Sequence, residues 1–384
     1  MNLKENRVYA LECDRYEVNL IKEKLKEGLE LWGGLENFVK PDQTVLLKAN
    51  LLMAKKPEDS TTTHPAVVHA VTEMVEEVGG NPIIGDSPGG PFNTGMLKRI
   101  YSKTGMEAIA DSTGAELNWN FESVSKTYSE GKVLKNMTLG QFITDVDLII
   151  NLPKFKTHGL TKMTGAVKNM FGAIPGLLKG EYHLNMHEVD IFSEVLLDIA
   201  LACAPTLSIM DGIVGMEGEG PSGGDSIELN TLLISPNPCA LDVAMAHLVK
   251  IEPEEVPTIK AAQGRGLVST INEIEIIGKQ SIDVGSFTSP DIENSTLLID
   301  NALPAPLAKI VQKLLRPKPI FNAELCVQCG DCIRSCPPQI ITKTEDCVEA
   351  DLDECIRCFC CQELCPRQAV DIHRPFLGRL LFGN

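Results

Sequence analysis

Two runs of cysteines near the carboxyl end are the residues best spaced for chemistry: Cys326-Val-Gln-Cys329-Gly-Asp-Cys332-Ile-Arg-Ser-Cys336-Pro337 and Cys355-Ile-Arg-Cys358-Phe-Cys-Cys361-Gln-Glu-Leu-Cys365-Pro366. Each reads C-x2-C-x2-C-x3-C-P, the run that holds [4Fe-4S] clusters, with the fourth cysteine of one run serving the cluster of the other. The spacing therefore assigns Cys326, Cys329, Cys332 and Cys365 to one cluster, and Cys355, Cys358, Cys361 and Cys336 to a second. Three thiolates set two residues apart let a short loop wrap one cubane. The x3 step carries the chain away, and a proline without an N–H turns it toward the partner cluster. Zinc ribbons, the competing reading, use two CxxC pairs at long separation and not three closely set cysteines plus a fourth. Cys360 lies between two ligands, but using it would break the spacing. Cys13, Cys203, Cys239 and Cys347 read as small core residues.

A second stretch is chemically distinctive. From Asn151 to Gly180 there are five lysines and no acid, in a chain whose formal net charge is −17. Lys154, Lys156, Lys162, Lys168 and Asn169 fall here, directly after an apolar run that reads as a strand. Lysines at the carboxyl end of a strand suit an anion such as a phosphate, a carboxylate or a nucleotide. Opposite charges about 4 Å apart attract by roughly 4 kcal/mol in a shielded cleft against about 1 in open water, so such lysines gain most in a pocket. An exposed basic face, or contact with an acidic partner, is the plainer alternative. Other strand ends present Lys48 and Asn50, and Asp86 and Ser87. His64 and His158, each after a threonine, read as exposed imidazoles able to supply a proton near neutral pH. Asp211 and Glu217 flank a later glycine-rich loop.

The elements that must position these groups alternate between strand-like and helix-like from Arg7 to about Ile277. Strands are expected at Arg7–Leu11, Thr44–Leu51, Pro82–Gly85, Asp147–Leu152, Leu207–Met210 and Thr231–Ser235. Helices are expected across Val18–Leu31, Pro65–Val78 and Ala240–Lys250. That alternation predicts an α/β domain with a largely parallel sheet over 1–300. A Pro-rich linker with a short helix, Leu307–Leu315, follows in 301–320. A small α+β cluster domain fills 321–373, and an apolar tail, 374–384, is expected to pack back on its own protein.

Three motif matches fail on their chemistry. Gly218-Glu-Gly220-Pro-Ser-Gly223 fits GxGxxG, but Pro221 removes a donor and strand-like sequence follows, so it reads as a flexible loop. Gly85-Asp86-Ser87-Pro88-Gly89 fits GxSxG, yet the residue after the serine must give an N–H to an oxyanion, and Pro88 has none. His183 and His187 lack an HExxH frame and read as ordinary surface or pocket histidines. The acidic balance argues against nucleic-acid binding. The Met1-Asn-Leu-Lys-Glu-Asn start has no apolar signal segment, and no apolar run is long enough for a membrane helix. With thirteen cysteines, eight of them in cluster motifs, a reducing cytoplasm and an anaerobic or low-oxygen cell are expected.

The run Asn151-Leu-Pro-Lys154…Lys156-Thr-His158…Gly165…Lys168-Asn169…Gly172, with Gly85-Asp86-Ser87 upstream and the eight-cysteine module downstream, resembles domain-of-unknown-function family 362 fused to a bacterial-type two-cluster ferredoxin. The ferredoxin part of the resemblance implies two [4Fe-4S] clusters and electron transfer. The larger part implies no assigned chemistry. The expected function is an iron–sulfur redox protein that takes low-potential electrons from a donor such as a ferredoxin. It passes them to an anionic substrate, cofactor or partner held by the α/β domain. A non-catalytic carrier or reductive activator of a partner metalloprotein competes with this, as does an anion-dependent ligase or transferase with structural clusters.

Overall fold

The computed structural model describes residues 1–186, 188–285, 287–289 and 317–373. A ten-stranded sheet organises the larger part. Its strands begin with β1 (Arg7–Glu12), β2 (Thr44–Ala49), β3 (Asn81–Gly85) and β4 (Glu116–Leu117). A separate hairpin, β5 (Ser123–Thr127) and β6 (Asn136–Gly140), interrupts the sequence. The sheet then resumes with β7 (Leu148–Leu152), β8 (Lys154–His158), β9 (Lys162–Thr164), β10 (Leu207–Glu217), β11 (Asp225–Ser235) and β12 (Glu275–Gly278). The order across the sheet is β12-β1-β11-β10-β7-β2-β3-β4, with β8 beside the far end of β10 and β9 beside β8. Neighbours from β10 through β4 run parallel, as do β12 and β1, while β11 runs antiparallel to both β1 and β10.

The strands at the middle are mostly apolar because both faces are covered, with Lys48 and Asn151 near their carboxyl ends. On β2, Val45 and Leu47 enter one core with residues of α1 (Val18–Leu29), α2 (Pro65–Glu77) and α3 (Thr94–Thr104), the last followed by α4 (Met106–Ser112). Leu46 enters the other core, shared with α5 (Ala166–Asn169), α7 (Val189–Cys203) and α8 (Pro238–Leu248). Between them in sequence lies the short α6 (Leu178–Asn185), and α9 (Pro257–Gly264) follows α8. The chain steps from β2 outward through β3 to β4, then returns to the other side of β2 as β7. That reversal opens a crevice at the carboxyl ends of β2 and β7, where open α/β sheets take ligands.

The cysteine-rich part has β13 (Lys318–Phe321) antiparallel to β16 (Val370–His373) and β14 (Ile341–Lys343) antiparallel to β15 (Val348–Ala350). Two short helices accompany them, α10 (Asp331–Ser335) and α11 (Cys360–Glu363). The repeat seen in the cysteines is also a repeat of backbone shape. Gln328, Gly330 and Gln339 have φ of 52°, 79° and 55°, and their equivalents Arg357, Phe359 and Gln368 have 58°, 58° and 52°. These left-handed residues bend each loop around its sulfurs.

Two elements extend further than their apolar residues advertise. β10 and β11 form a long hairpin whose outer half on β10 pairs with β8, with a register shift between Gly212 and Val214. Its turn, residues 218–224, is the glycine-rich segment expected to be a flexible loop, and it is where the cysteine-rich part docks. The Ser222 hydroxyl donates to the Glu363 carbonyl at 2.7 Å, and the Gln368 amide donates to the Ser222 carbonyl at 3.1 Å. Across the same junction Leu364 sits so close to Gly89 that a Cβ there would collide with it. β13 begins at Lys318, inside the segment expected to be linker. The linker helix Leu307–Leu315, the tail 374–384 and His187 lie outside the described residues. Among the described residues no helix is long and apolar enough to cross a membrane.

Candidate functional site

A pocket of about 290 Å³ opens at the carboxyl ends of β2, β3 and β7, and its far wall is the cysteine-rich part. Its floor is built from the lysine-rich stretch. β8 is not among the expected strands: the lysine run reads as an anion-binding segment following the strand Asp147–Leu152. It forms by pairing with β10 and β9, and it is buried along its length. Strand alternation then sends Lys154 and Lys156 to the same side, and both are about 1 % exposed.

The predicted residues divide into groups. Lys48 is spent internally: its ammonium is 2.8 Å from Asp86 Oδ1 and donates to the Ala49 carbonyl, while Asp86 Oδ2 accepts the Leu51 N–H. This pair anchors the loops after β2 and β3, and it passes so close to Gly172 that a Cβ there would strike both side chains. Asn50, Asn169 and Asn151 form an amide ladder. Asn50 Nδ2 donates to Asn169 Oδ1, and Asn169 Nδ2 donates to Asn151 Oδ1. α5, which carries Lys168 and Asn169, is fixed at its start by Asp242, whose carboxylate accepts the Ala166 and Val167 N–H groups.

Lys156, Lys168, Asn50, Asn169, Asp86 and Ser87 all line the pocket. Lys156 donates to Asn50 Oδ1 at 3.0 Å and to the Thr61 carbonyl at 2.6 Å, both neutral acceptors. Burial, helped by neighbouring Lys168, pulls its ammonium down to about 7. Lys168 has no hydrogen-bond or ion-pair partner among the described residues, and burial lowers it as well. Lys179, the fifth lysine of the run, was not singled out by sequence. It donates to Ser87 Oγ at 3.1 Å and to the Ile174 and Pro88 carbonyls, and burial brings it to about 7.

Lys154 and Lys162 stand elsewhere. Lys154 pairs with Asp211 at 2.9 Å and with the Tyr16 hydroxyl at 2.8 Å, in a closed network beside the pocket. His64 belongs to that network. Its backbone N–H reaches Asp211, and its ring stacks on Tyr16 with centroids 3.5 Å apart. Lys162 turns outward to Glu255.

The histidines need correcting. His158 is about 1 % exposed because the cysteine-rich part covers it, and His64 is mostly buried. Burial depresses both to about 4, so neither is an imidazolium near neutral pH. His158 Nδ1 accepts the Leu160 N–H, which puts the ring proton on Nε2. That atom lies 3.0 Å from Glu363 Oε1, off the N–H line, so it remains a buried donor without a formed hydrogen bond. His183, also at about 4 through burial, lines the same wall. Glu363 gave no signal in the sequence beyond standing two places after Cys361. Burial pushes its carboxyl up, but His158, Lys168 and His183 outweigh that and hold it near 2.

The depressed lysines have a consequence for stability. Unfolded, Lys156 and Lys179 keep their protons up to about 10.5; folded and without an anion they lose them near 7. Between those values the unfolded chain binds more protons, so stability rises with pH across the interval. Scanning calorimetry from pH 7 to 10 is expected to show a rising Tm, and Lys156→Met should flatten that rise.

The eight motif cysteines ring two cavities. Cys326, Cys329, Cys332 and Cys365 line one; Cys336, Cys355, Cys358 and Cys361 line the other. Among the described residues, no three Cys, His, Asp or Glu side chains converge on a point as a single ion requires. A backbone amide faces one of the sulfurs: the Ala369 N–H reaches Cys365 Sγ at 3.1 Å. This donor set fits iron–sulfur ligation. The second group abuts the pocket, since Cys336 lines both, and Pro337 and Cys360 of the pocket wall are next in sequence to cavity residues. Cys329, of the first group, is exposed.

Comparison with known proteins agrees with this division. Residues 45–247 match a family described as a domain of unknown function (DUF362), and residues 318–366 match a 4Fe-4S dicluster domain. A thylakoid-associated protein of Synechocystis sp. is 36% identical over 269 residues, 70% of this chain and 82% of that protein. Pyruvate synthase subunit PorD of Methanothermobacter marburgensis is 37% identical over 57 residues, 15% of this chain and 67% of the subunit. Among solved structures, the lactate racemase apoprotein of Thermoanaerobacterium thermosaccharolyticum aligns at 13% identity and TM-score 0.35, covering 55% of this chain and 51% of that one. A Thermotoga maritima protein aligns at 16% and 0.33, covering 55% and 53%. The chain thus spans about half the length of those two structures.

Proposed function

The chain belongs to the DUF362 family and carries a 4Fe-4S dicluster domain, and from that premise we propose that it is an iron–sulfur reductase acting on a small anion held between its two parts. Cys326, Cys329, Cys332 and Cys365 hold one [4Fe-4S] cluster, and Cys336, Cys355, Cys358 and Cys361 hold the other. Such a cluster supplies single electrons at a potential set by its hydrogen bonds and solvent exposure. A donor such as a ferredoxin docks where Cys329 is exposed, and the acceptor lies in the pocket beside Cys336. The single observation that carries this reading is the shared wall: three lysines on one side, Lys156 of them fully buried, and on the other a cysteine of the second group.

Each protein group has a task. Lys168 and Lys179 bind the anion, and Asn50 orients Lys156 toward it. The cysteine-rich part excludes water. The proton donor is Lys156 and neither histidine, because an acid near 7 is matched to neutral pH whereas imidazoles near 4 hold no second proton to give. A grip on a partner protein is disfavoured, since Lys156 is too deep to reach a macromolecular surface. Eight cysteines in cluster motifs support work in a reducing compartment such as the cytoplasm.

The test is anaerobic purification, mass spectrometry of the co-purifying ligand, then single-turnover reoxidation of the reduced protein by that ligand. Lys156→Met is expected to slow reoxidation by about 100-fold while its clusters still reduce normally. If the reduced clusters persist unchanged in the presence of the ligand, the proposal fails.

A further inference from the structure

The charges inside the pocket do not balance. Asp86 is answered by Lys48, Arg334 by Asp331, and Glu181 sits at the exposed rim. Among the lining side chains, what remains is Lys156, Lys168 and Lys179 against Glu363, with the negative charge of a thiolate-ligated cluster lying behind Cys336. The hydrogen bonds of Lys156 and Lys179 go to amide, hydroxyl and carbonyl oxygens, which orient an ammonium without cancelling its charge. Lys168 has not even these. His158 adds a buried N–H with no acceptor in line. Buried charges are tolerated when paired and buried donors when hydrogen-bonded, so a ligand with two negative charges satisfies all four groups at once. A single negative charge would leave one ammonium unanswered.

The rest of the lining is different in character. Leu52, Phe171, Leu184 and Leu364 also line the pocket and offer apolar surface there. The volume, about 290 Å³, lies at the lower end of the range for small-molecule sites, roughly 300–1,000 Å³. A bare inorganic anion would fill the floor and leave that apolar wall in contact with water.

We infer that the ligand is a compact amphipathic dianion, a phosphate monoester or a dicarboxylate set on Lys156, Lys168 and Lys179, whose apolar body packs on Phe171 and Leu364 toward Cys336. The inference rests on the pocket being the ligand site proposed above, but not on any electron reaching it. Binding draws protons onto the lysines that burial had stripped, so it takes up protons from buffer near neutral pH.

The experiment is anaerobic titration calorimetry of the cluster-loaded full chain with phenyl phosphate, phthalate, benzoate and inorganic phosphate, at pH 7 in buffers of different ionisation heat. Phenyl phosphate or phthalate is expected to bind at least about tenfold more tightly than benzoate and than inorganic phosphate, with net proton uptake. The tighter of the two names the anionic group. Lys168→Ala breaks no hydrogen bond or ion pair among the described residues and is expected to erase most of the preference over benzoate. Equal affinity for benzoate, equal affinity for inorganic phosphate, a preference that survives in Lys168→Ala, or no binding of any probe would overturn the inference. Reoxidation of the reduced clusters is read separately, so a dianion that binds without accepting electrons would sink the reductase reading and leave this one standing.

Discussion

Replacing Cys336 by alanine is expected to reduce electron delivery to the pocket ligand to the rate seen with ligand and a free ferredoxin. The centre ringed by Cys326, Cys329, Cys332 and Cys365 should remain reducible. The argument is positional. Cys336 lines both the second cavity and the pocket, and the first cavity touches the pocket through none of its four cysteines. Removing one of four thiolates leaves an iron without its protein ligand, so the inward centre is lost or altered while the outward one keeps its full set. Cys329→Ala should do the reverse: uptake from a protein donor falls, but a small chemical reductant still drives turnover through the inward centre. Electron paramagnetic resonance of each reduced variant, paired with single-turnover kinetics, reads both effects. Should Cys336→Ala keep ligand reduction while Cys329→Ala loses it, the direction of the path is wrong.

Removal of Asp211 is expected to cost about 3–5 kcal/mol, among the largest stability losses open to a single substitution here. Its two oxygens serve the Lys154 ammonium, the Tyr16 hydroxyl and the His64 N–H, all at 2.8–2.9 Å, and it is fully buried. Asp211→Ala strands a charge at a position about 1 % exposed. Burial already lowers Lys154, with Asp211 holding it back up. Without that carboxylate the lysine sheds its proton more readily, so the deficit should shrink as pH is raised, the unfolded lysine being the better proton binder. The double change Asp211→Leu with Lys154→Met, which leaves no charge to strand, is expected to recover most of the loss. Urea denaturation of the single and double variants at two pH values tests this. A single variant as stable as the parent would show that the network is solvated.

How legible the molecule is in its sequence depends on whether chemistry and spacing lie along the chain or across it. The cysteine runs are legible because their spacing is itself the local geometry, and the left-handed residues recur at the same offset. β2 and β7 are legible because strands buried on both faces carry short apolar runs, Val45–Leu47 and Leu148–Ile150. β8 is not, since its lysines and threonines carry the pattern of a surface segment. What buries them is β10 on one side and the cysteine-rich part above, neither of which is near in sequence. The same gap explains His158, whose neighbours in the chain look solvated while Glu363, 205 positions later, covers it. The lysines likewise announce an anion as a group. Only the fold sorts them into Lys156, Lys168 and Lys179 in the pocket, Lys48 and Lys154 in internal pairs, and Lys162 on the outside.

The four-residue turn Cys360–Glu363 belongs to two structures at once. Cys361 faces the inward cavity, and Glu363, two positions on, closes the pocket over His158. A helix this short has no stability of its own and takes its shape from what its ends are tied to. If the inward cavity holds the proposed cluster, its assembly and completion of the ligand chamber are one event. In an iron-starved cell the newly made chain would lack electrons to give and would equally lack a finished chamber to retain its ligand. The lysine-floored half would then carry no cargo that it could not reduce.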